Sequence, residues 1–246
     1  MTTLSTQWCP PPTDLSLSAG DVHVWRTELD LPIEQIENLA QILSTDEQQR
    51  ADRFYFERDK KHFIAGRGIL RTILGRYLDL APTKIEFSYS PRGKPELANI
   101  DTKKTLSFNL SHSKGLALYA VSESQPLGID LEYTRTMPDA EQLAKRFFST
   151  NEYKVIRTLP NDQKQEAFFN AWTRKEAYLK ATGEGLIGLS QVEVSLIPGE
   201  PPMLLSIAGD QQAASHWSLY HLIPTPDYIA ALAVEGQGGN LNYFGF

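Results

Sequence analysis

The tetrapeptide Ile85-Glu86-Phe87-Ser88 returns as Val192-Glu193-Val194-Ser195 in the second half of a 246-residue chain. Each copy is followed by a turn rich in proline and glycine, Pro91-Arg92-Gly93-Lys94-Pro95 and Pro198-Gly199-Glu200-Pro201-Pro202. A pair of strand-like segments comes next in both places: LSFNL (106–110) with LALYAV (116–121), and WSLYHL (217–222) with IAALAV (229–234). A long helical pattern precedes each block. Fixed-order echoes of this kind point to a duplicated supersecondary unit, here joined near Glu123 to Leu127. The expected fold class is α+β, with two similar α/β subdomains related by a pseudo-twofold and the active site in the cleft between them. The expected organisation is a flexible arm (1–20), an N-terminal subdomain (21–124), a C-terminal subdomain (125–236) and a mobile tail (237–246).

Periodicity fills in the elements. Val22 to Trp25 alternates like a strand, and Ile33 to Leu43 has the three-and-four spacing of a helix. Ser44 and Glu47 form a capping-box signature opening a helix expected to run through Arg58. A second helix is expected from about Asp59 to Leu78, with Arg67 and Arg71 one turn apart on a face that could line a site. Strands follow at 84–90, 106–111, 116–121 and 127–132, then a helical region from Pro138 to Thr182, then four more strands. Residues 236–246 show no periodicity.

The formal charge of -6 gives no general attraction to nucleic acid or anionic lipid, so any phosphate must be held by a local basic patch. No run approaches the roughly 18 apolar residues of a membrane span, and the first residues lack a secretory pattern. A cytoplasmic protein with no membrane partner is expected. Cys9 is the single cysteine, which excludes an internal disulfide and a cysteine-based zinc site.

The chemistry-bearing stretch is Gly128-Ile129-Asp130-Leu131-Glu132, where strand alternation sends both acids to one face. Taken alone, this reads as a solvated strand face. With a hard cation between them the two carboxylates become favourable together, and Mg²⁺ typically takes one or two while phosphates and waters complete its shell. Trp172, Glu176 and Lys180 recur every four residues and share one helix face, which alone is equally a core tryptophan beside a surface ion pair. Lys94 in its stiff turn, and Ser111 and His112 at a strand end, suit a phosphate or are plain surface.

Other motifs fail. Ser111 and His112 are neighbours on a strand and point apart, so they are no serine–histidine pair. Gly183-x-Gly185-x-x-Gly188 follows a helix and precedes a strand, the reverse of a dinucleotide fingerprint, and no phosphate-loop motif exists. Ser149 with Glu152 is a capping box, which makes Glu152 structural.

Taken in order, RFY (53–55), AGRGILR (65–71), GKP (93–95), FNLSHS (108–113), GIDLE (128–132), RFFSTNE (146–152) and WTRKEAYLKATGEGL (172–186) resemble the larger 4'-phosphopantetheinyl transferases of the surfactin-synthetase-activating type. The likeness spans about Arg53 to Val234. It implies coenzyme A in the cleft between halves, transfer of its phosphopantetheine arm to an apo acyl or peptidyl carrier protein, and a monomer. By position, Asp130, Glu132 and Glu176 become Mg²⁺ ligands. Lys94, Ser111 and His112 fall where the family holds the 3'-phosphate, with Arg67 a helper. Lys180 contacts the reacting phosphate, and Trp172 shapes the site. The base is Glu176 or a metal-bound water, with Glu176 favoured. Phe63, and the basic residues around Arg50 and Lys60, depart from the family's pattern at the adenine end. The competing readings are another Mg²⁺-dependent nucleotide or phosphate transferase, and a non-catalytic coenzyme A or carrier-protein binding module.

Overall fold

The computed structural model describes residues 7–98 and 105–246. Its first half runs β1 (Val22–Glu28), α1 (Ile33–Gln41), α2 (Thr45–Ala51), α3 (Glu57–Leu78), β2 (Phe87–Tyr89), β3 (Pro95–Leu97), β4 (Leu106–Ser113) and β5 (Leu116–Glu123). The second runs β6 (Leu127–Tyr133), α4 (Ala140–Phe147), α5 (Thr150–Thr158), α6 (Asn161–Thr182), β7 (Val192–Val194), β8 (Leu204–Ile207), α7 (Gln211–Ala214), β9 (Trp217–Leu222) and β10 (Tyr228–Glu235), with β11 (Leu241–Gly245) last. The α+β class holds. No helix among the described residues is long and apolar enough to cross a membrane.

The duplication is visible in the topology. Strands β1, β5 and β4 lie side by side, all antiparallel, and β6, β10 and β9 repeat that order. Between the first and second strand of each set come a 22-residue helix, α3 or α6, and a short hairpin, β2–β3 or β7–β8. Because strand side chains alternate, each sheet has two buried faces. One packs on its long helix, and the other meets the opposite sheet through Val22, Val24, Leu118, Ile129, Leu131 and Leu232.

Matched elements carry matched bonds. α2 and α5 both open with capping boxes, Ser44 with Glu47 and Ser149 with Glu152, and both glutamates are buried. Each receives a base from its long helix: Arg71 Nε lies 2.7 Å from Glu47 Oε2, and Lys175 Nζ 2.6 Å from Glu152 Oε2. Buried ion pairs offset their desolvation only when further hydrogen bonds complete them. Arg71 therefore also donates to the carbonyls of Pro82 and Ile85, and Lys175 to those of Leu189 and Val192. Ile85 and Val192, which open the echoed tetrapeptides, are held by equivalent clamps. Arg71 is thus part of the frame, not of a site wall.

Two further expectations change. The helix opened at Ser44 stops at Asp52 and restarts at Glu57, because a turn there returns the chain to the face of α2 and lets Phe54 pack on Phe63. The tail expected to be mobile ends in β11, paired parallel to β1 from Val22↔Leu241 to Arg26↔Gly245. That pairing covers the open hydrogen-bonding edge of β1 and buries Phe244 against Trp25 and His23. The arm is tied to the same edge, since Cys9 exchanges backbone bonds with Tyr243 and Gly245.

Candidate active site

On β6, Ile129 and Leu131 enter the layer between the sheets while Asp130 and Glu132 face the other way. Gly128 sets how near α6 can come: a Cβ there would lie 2.1 Å from Ala177 O and 2.4 Å from Ala181 N, a space only glycine leaves open. That close approach lowers Glu176 and Lys180, one turn apart, onto Asp130. Lys180 Nζ sits 2.6 Å from Asp130 Oδ1 and 2.9 Å from Ser111 Oγ.

Ser111 also donates to Asp130 Oδ1 at 3.1 Å and accepts from the Leu131 N–H at 3.2 Å. A hydroxyl has one donor and two acceptor positions, and all three are filled. The Ser111 hydroxyl, expected at a phosphate, is bonded here to Asp130, Lys180 and the Leu131 N–H.

Crowded acids perturb one another. Burial first, then the Asp130 and Glu132 charges, push Glu176 up to about 7 against the opposing pull of Lys180. Glu132 is also raised, by burial and then by Asp130, with Arg135, Lys180 and Ser113 acting the other way. Asp130 Oδ2 and Glu176 Oε1 are buried without a hydrogen-bond partner. Among the described residues no group of three or more His, Cys, Asp or Glu is gathered closely enough to hold a metal ion by itself. The orphaned, oxygen-only donors fit a hard cation of the Mg²⁺ type, whose shell is normally completed by phosphates and waters.

A cleft of about 220 Å³ opens beside this cluster. The first half contributes Arg92, Lys94 and Asn109 to it, and the second Glu176, Lys180 and Gly183. The turn carrying Lys94 depends on Gly93 at φ 82°, and Lys94 Nζ donates to Ala181 O at the end of α6. Burial lowers the Lys94 pKa. His112 has solvent on one side, yet the atoms packed around it, then Lys180 and His62, keep its pKa below the usual imidazole value.

A second recess, about 160 Å³, lies beyond Glu132 and Arg135 and is walled by Phe147, Phe168 and Trp172. Trp172 stacks on Phe168 and meets Phe147 edge-on. Arg67 stays apart from both spaces: it is buried against Phe87 and Tyr89, donating to the Tyr89 hydroxyl.

Asn109, Ser113, Arg135 and Gly128 lie at this site although motif reading gave them no role. Strand alternation along FNLSHS, which puts Asn109, Ser111 and Ser113 on one face, was the signal for two of them.

Basic groups from one half thus face an acid cluster from the other across the cleft, a set of residues with the chemistry to hold a phosphate beside a hard cation. Residues 126–233 match the model of the 4'-phosphopantetheinyl transferase superfamily, and residues 31–124 that of the 4'-phosphopantetheinyl transferase N-terminal region. The chain is 50% identical over 231 residues to the 4'-phosphopantetheinyl transferase HetI of Nostoc sp., covering 94% of each. It is 32% identical over 167 residues to Sfp of Bacillus subtilis, covering 67% of this chain and 72% of that one. The human L-aminoadipate-semialdehyde dehydrogenase-phosphopantetheinyl transferase is 30% identical over 165 residues, 63% of this chain and 53% of its own. The chain is a member of the 4'-phosphopantetheinyl transferase superfamily.

Proposed function

We propose that the cleft transfers the 4'-phosphopantetheine arm of coenzyme A to a serine hydroxyl of an apo acyl or peptidyl carrier protein. The observation that carries this is the convergence of Glu176 and Lys180 on Asp130, with two buried carboxylate oxygens unpartnered, across from a wall bearing Lys94 and Arg92.

A bond forms between the serine oxygen and the phosphorus bearing pantetheine, and the bond from that phosphorus to the bridging oxygen of adenosine 3',5'-bisphosphate breaks. Asp130, Glu132 and Glu176 would hold Mg²⁺, which supplies positive charge to the diphosphate oxygens. Lys180, which bonds Asp130 and lines the cleft, neutralises charge on a non-bridging oxygen. Glu176, with one carboxylate oxygen left unpartnered, takes the serine proton at Oε1. Lys94, Arg92 and His112 hold the 3'-phosphate at the rim. The aromatic recess at Trp172 takes the flexible pantetheine chain, whose carbon skeleton suits an apolar slot with Arg135 at its edge. In this reading residues 21–124 supply phosphate-binding groups and 125–236 the acids and lysine. One chain provides both walls, so a monomer suffices.

The test is the protein mixed with Mg²⁺, coenzyme A and an apo carrier, followed by intact mass spectrometry of the carrier. One added phosphopantetheine is expected, and no gain on several apo carriers overturns the reading. His112→Ala is expected to raise KM for coenzyme A about tenfold with little change in kcat. An unchanged KM removes His112 from the phosphate site.

A further inference from the structure

Strands β4 and β6 face each other along the join between the halves, yet no main-chain ladder links them: β4 pairs with β5, and β6 with β10. Side chains do the linking. Asn109 Oδ1 accepts the Ile129 N–H at 2.9 Å, Ser111 Oγ the Leu131 N–H at 3.2 Å, and Ser113 Oγ the Tyr133 N–H at 3.1 Å. Both strands advance by two residues at every rung. Direct pairing would draw the strands to about 4.8 Å. An interposed side chain holds them further apart, beside the cleft that Asn109 lines.

The two serines do more than space the strands. While accepting an N–H from β6, each donates its own proton to the carboxylate one residue earlier: Ser111 to Asp130 at 3.1 Å and Ser113 to Glu132 at 3.4 Å. The Asn109 rung lies opposite Gly128, which has no carboxylate to aim, and an amide oxygen suffices there. Spacing of the halves and direction of the acids are therefore set by the same atoms.

We propose that Ser113 is a positioning residue for Glu132, the outer rung of an Asn109–Ser111–Ser113 side-chain ladder that aligns the carboxylate pair for its cation. This rests on the reading of Asp130 and Glu132 as cation ligands. Partners of metal-ligating groups typically change affinity 10- to 100-fold. The long Ser113–Glu132 contact puts this one at the lower end.

The experiment titrates Mn²⁺ into the protein with coenzyme A and no carrier, reading free ion by electron paramagnetic resonance. Ser113→Ala should bind Mn²⁺ about tenfold more weakly, with KM for the carrier unchanged and Tm within a few degrees of the parent. Ser113→Thr, which keeps the hydroxyl, should restore affinity. If Ser113→Ala does not fold, Ser113→Cys has the same expectation, since a thiol fills the space but serves both partners poorly. Native affinity in the alanine or cysteine variant, equal weakening in the threonine variant, or no Mn²⁺ binding by the parent would each overturn the proposal. A parent that binds Mn²⁺ and modifies no carrier leaves the ladder standing and removes only the transferase reading.

Discussion

In the second half of the molecule the Lys180 ammonium, on α6, meets the Asp130 carboxylate of β6 at 2.6 Å. In the first half Arg76, at the same step of the equally long α3, lies over the ring of Trp25 on β1, 5.3 Å from its centroid. One turn earlier, Glu176 has its counterpart in Thr72, whose hydroxyl is satisfied by the Gly68 carbonyl of its own helix. Trp25 is fully buried and covered by Phe244 of β11. The frame is present in both halves while the acid cluster is present in one: Glu47 Oε1 has no hydrogen-bond partner but stands 3.8 Å from the Arg67 guanidinium, whereas the unpartnered Asp130 Oδ2 and Glu176 Oε1 belong to a group of acids beside the cleft.

The largest expected effect comes from breaking that asymmetry on its active side. Asp130→Ala or Glu132→Ala should reduce carrier modification at least about a thousandfold, equivalent to roughly 4 kcal/mol of transition-state stabilisation, while urea unfolding stays cooperative. Trp25→Ala, at the matching position, should do the reverse. It should lose about 3–5 kcal/mol of stability and keep its transfer rate per folded molecule. Normal turnover in Asp130→Ala would remove the ligand assignment, and lost turnover in a folded Trp25→Ala would deny that the Trp25 position is only frame.

The clamps come next. Arg71→Met leaves Glu47 with only the more distant Arg67, at 3.8 Å, and Lys175→Met leaves Glu152 without its base, each a buried carboxylate deprived of its close partner. Removing one partner of such a pair destabilises by about 3–5 kcal/mol, and denaturant titration should find similar losses for both. A loss below about 1 kcal/mol in one of them would show that the clamps are not equivalent.

Much of this was legible in residues because duplication leaves the same local signals twice. The two capping boxes, the hairpin echo and the glycine turns are short-range, and each appeared where its pattern placed it. The acids on β6 were visible by alternation, and the turn spacing of Trp172, Glu176 and Lys180 by helical period. Long-range pairings were not legible. Leu241–Gly245 is too short to show a period, and its partner lies at the other end of the chain. Arg67 and Arg71 shared a helix face as expected, but a face says nothing of what covers it. Glu47, Tyr89 and the carbonyls of Pro82 and Ile85 do so here. Nor could spacing show that the Ser111 hydroxyl would be saturated by three groups from β6 and α6.

The smallest effect separates the halves by pH. A carboxyl whose folded pKa lies above its unfolded value binds its proton more tightly when folded, so its contribution is present at low pH and lost as pH rises. For Glu176 that loss runs from the ordinary glutamate value of 4.5 to about 7 in the metal-free protein, and Glu132 adds to it in the same direction. Half-buried His221, held down to about 4, acts oppositely, as do His23 and His112, whose pKa values burial also lowers: these contributions are lost as pH falls, so they raise stability with pH across part of the same interval. The raw Tm curve mixes the two. Subtracting the curve of Glu176→Gln isolates the carboxyl, and the difference should amount to a few degrees between pH 4.5 and 7. Thr72→Val, the matched change in the first half, removes no titrating group and should leave the shape of the curve as it was. Because Glu176 must shed that proton to act as a ligand, Mg²⁺ with coenzyme A should raise Tm more at pH 7.5 than at pH 5.5. Equal shifts at both values, or a Glu176→Gln curve parallel to the parent's, would mean that Glu176 titrates as an ordinary surface acid and that the two halves differ less than their geometry implies.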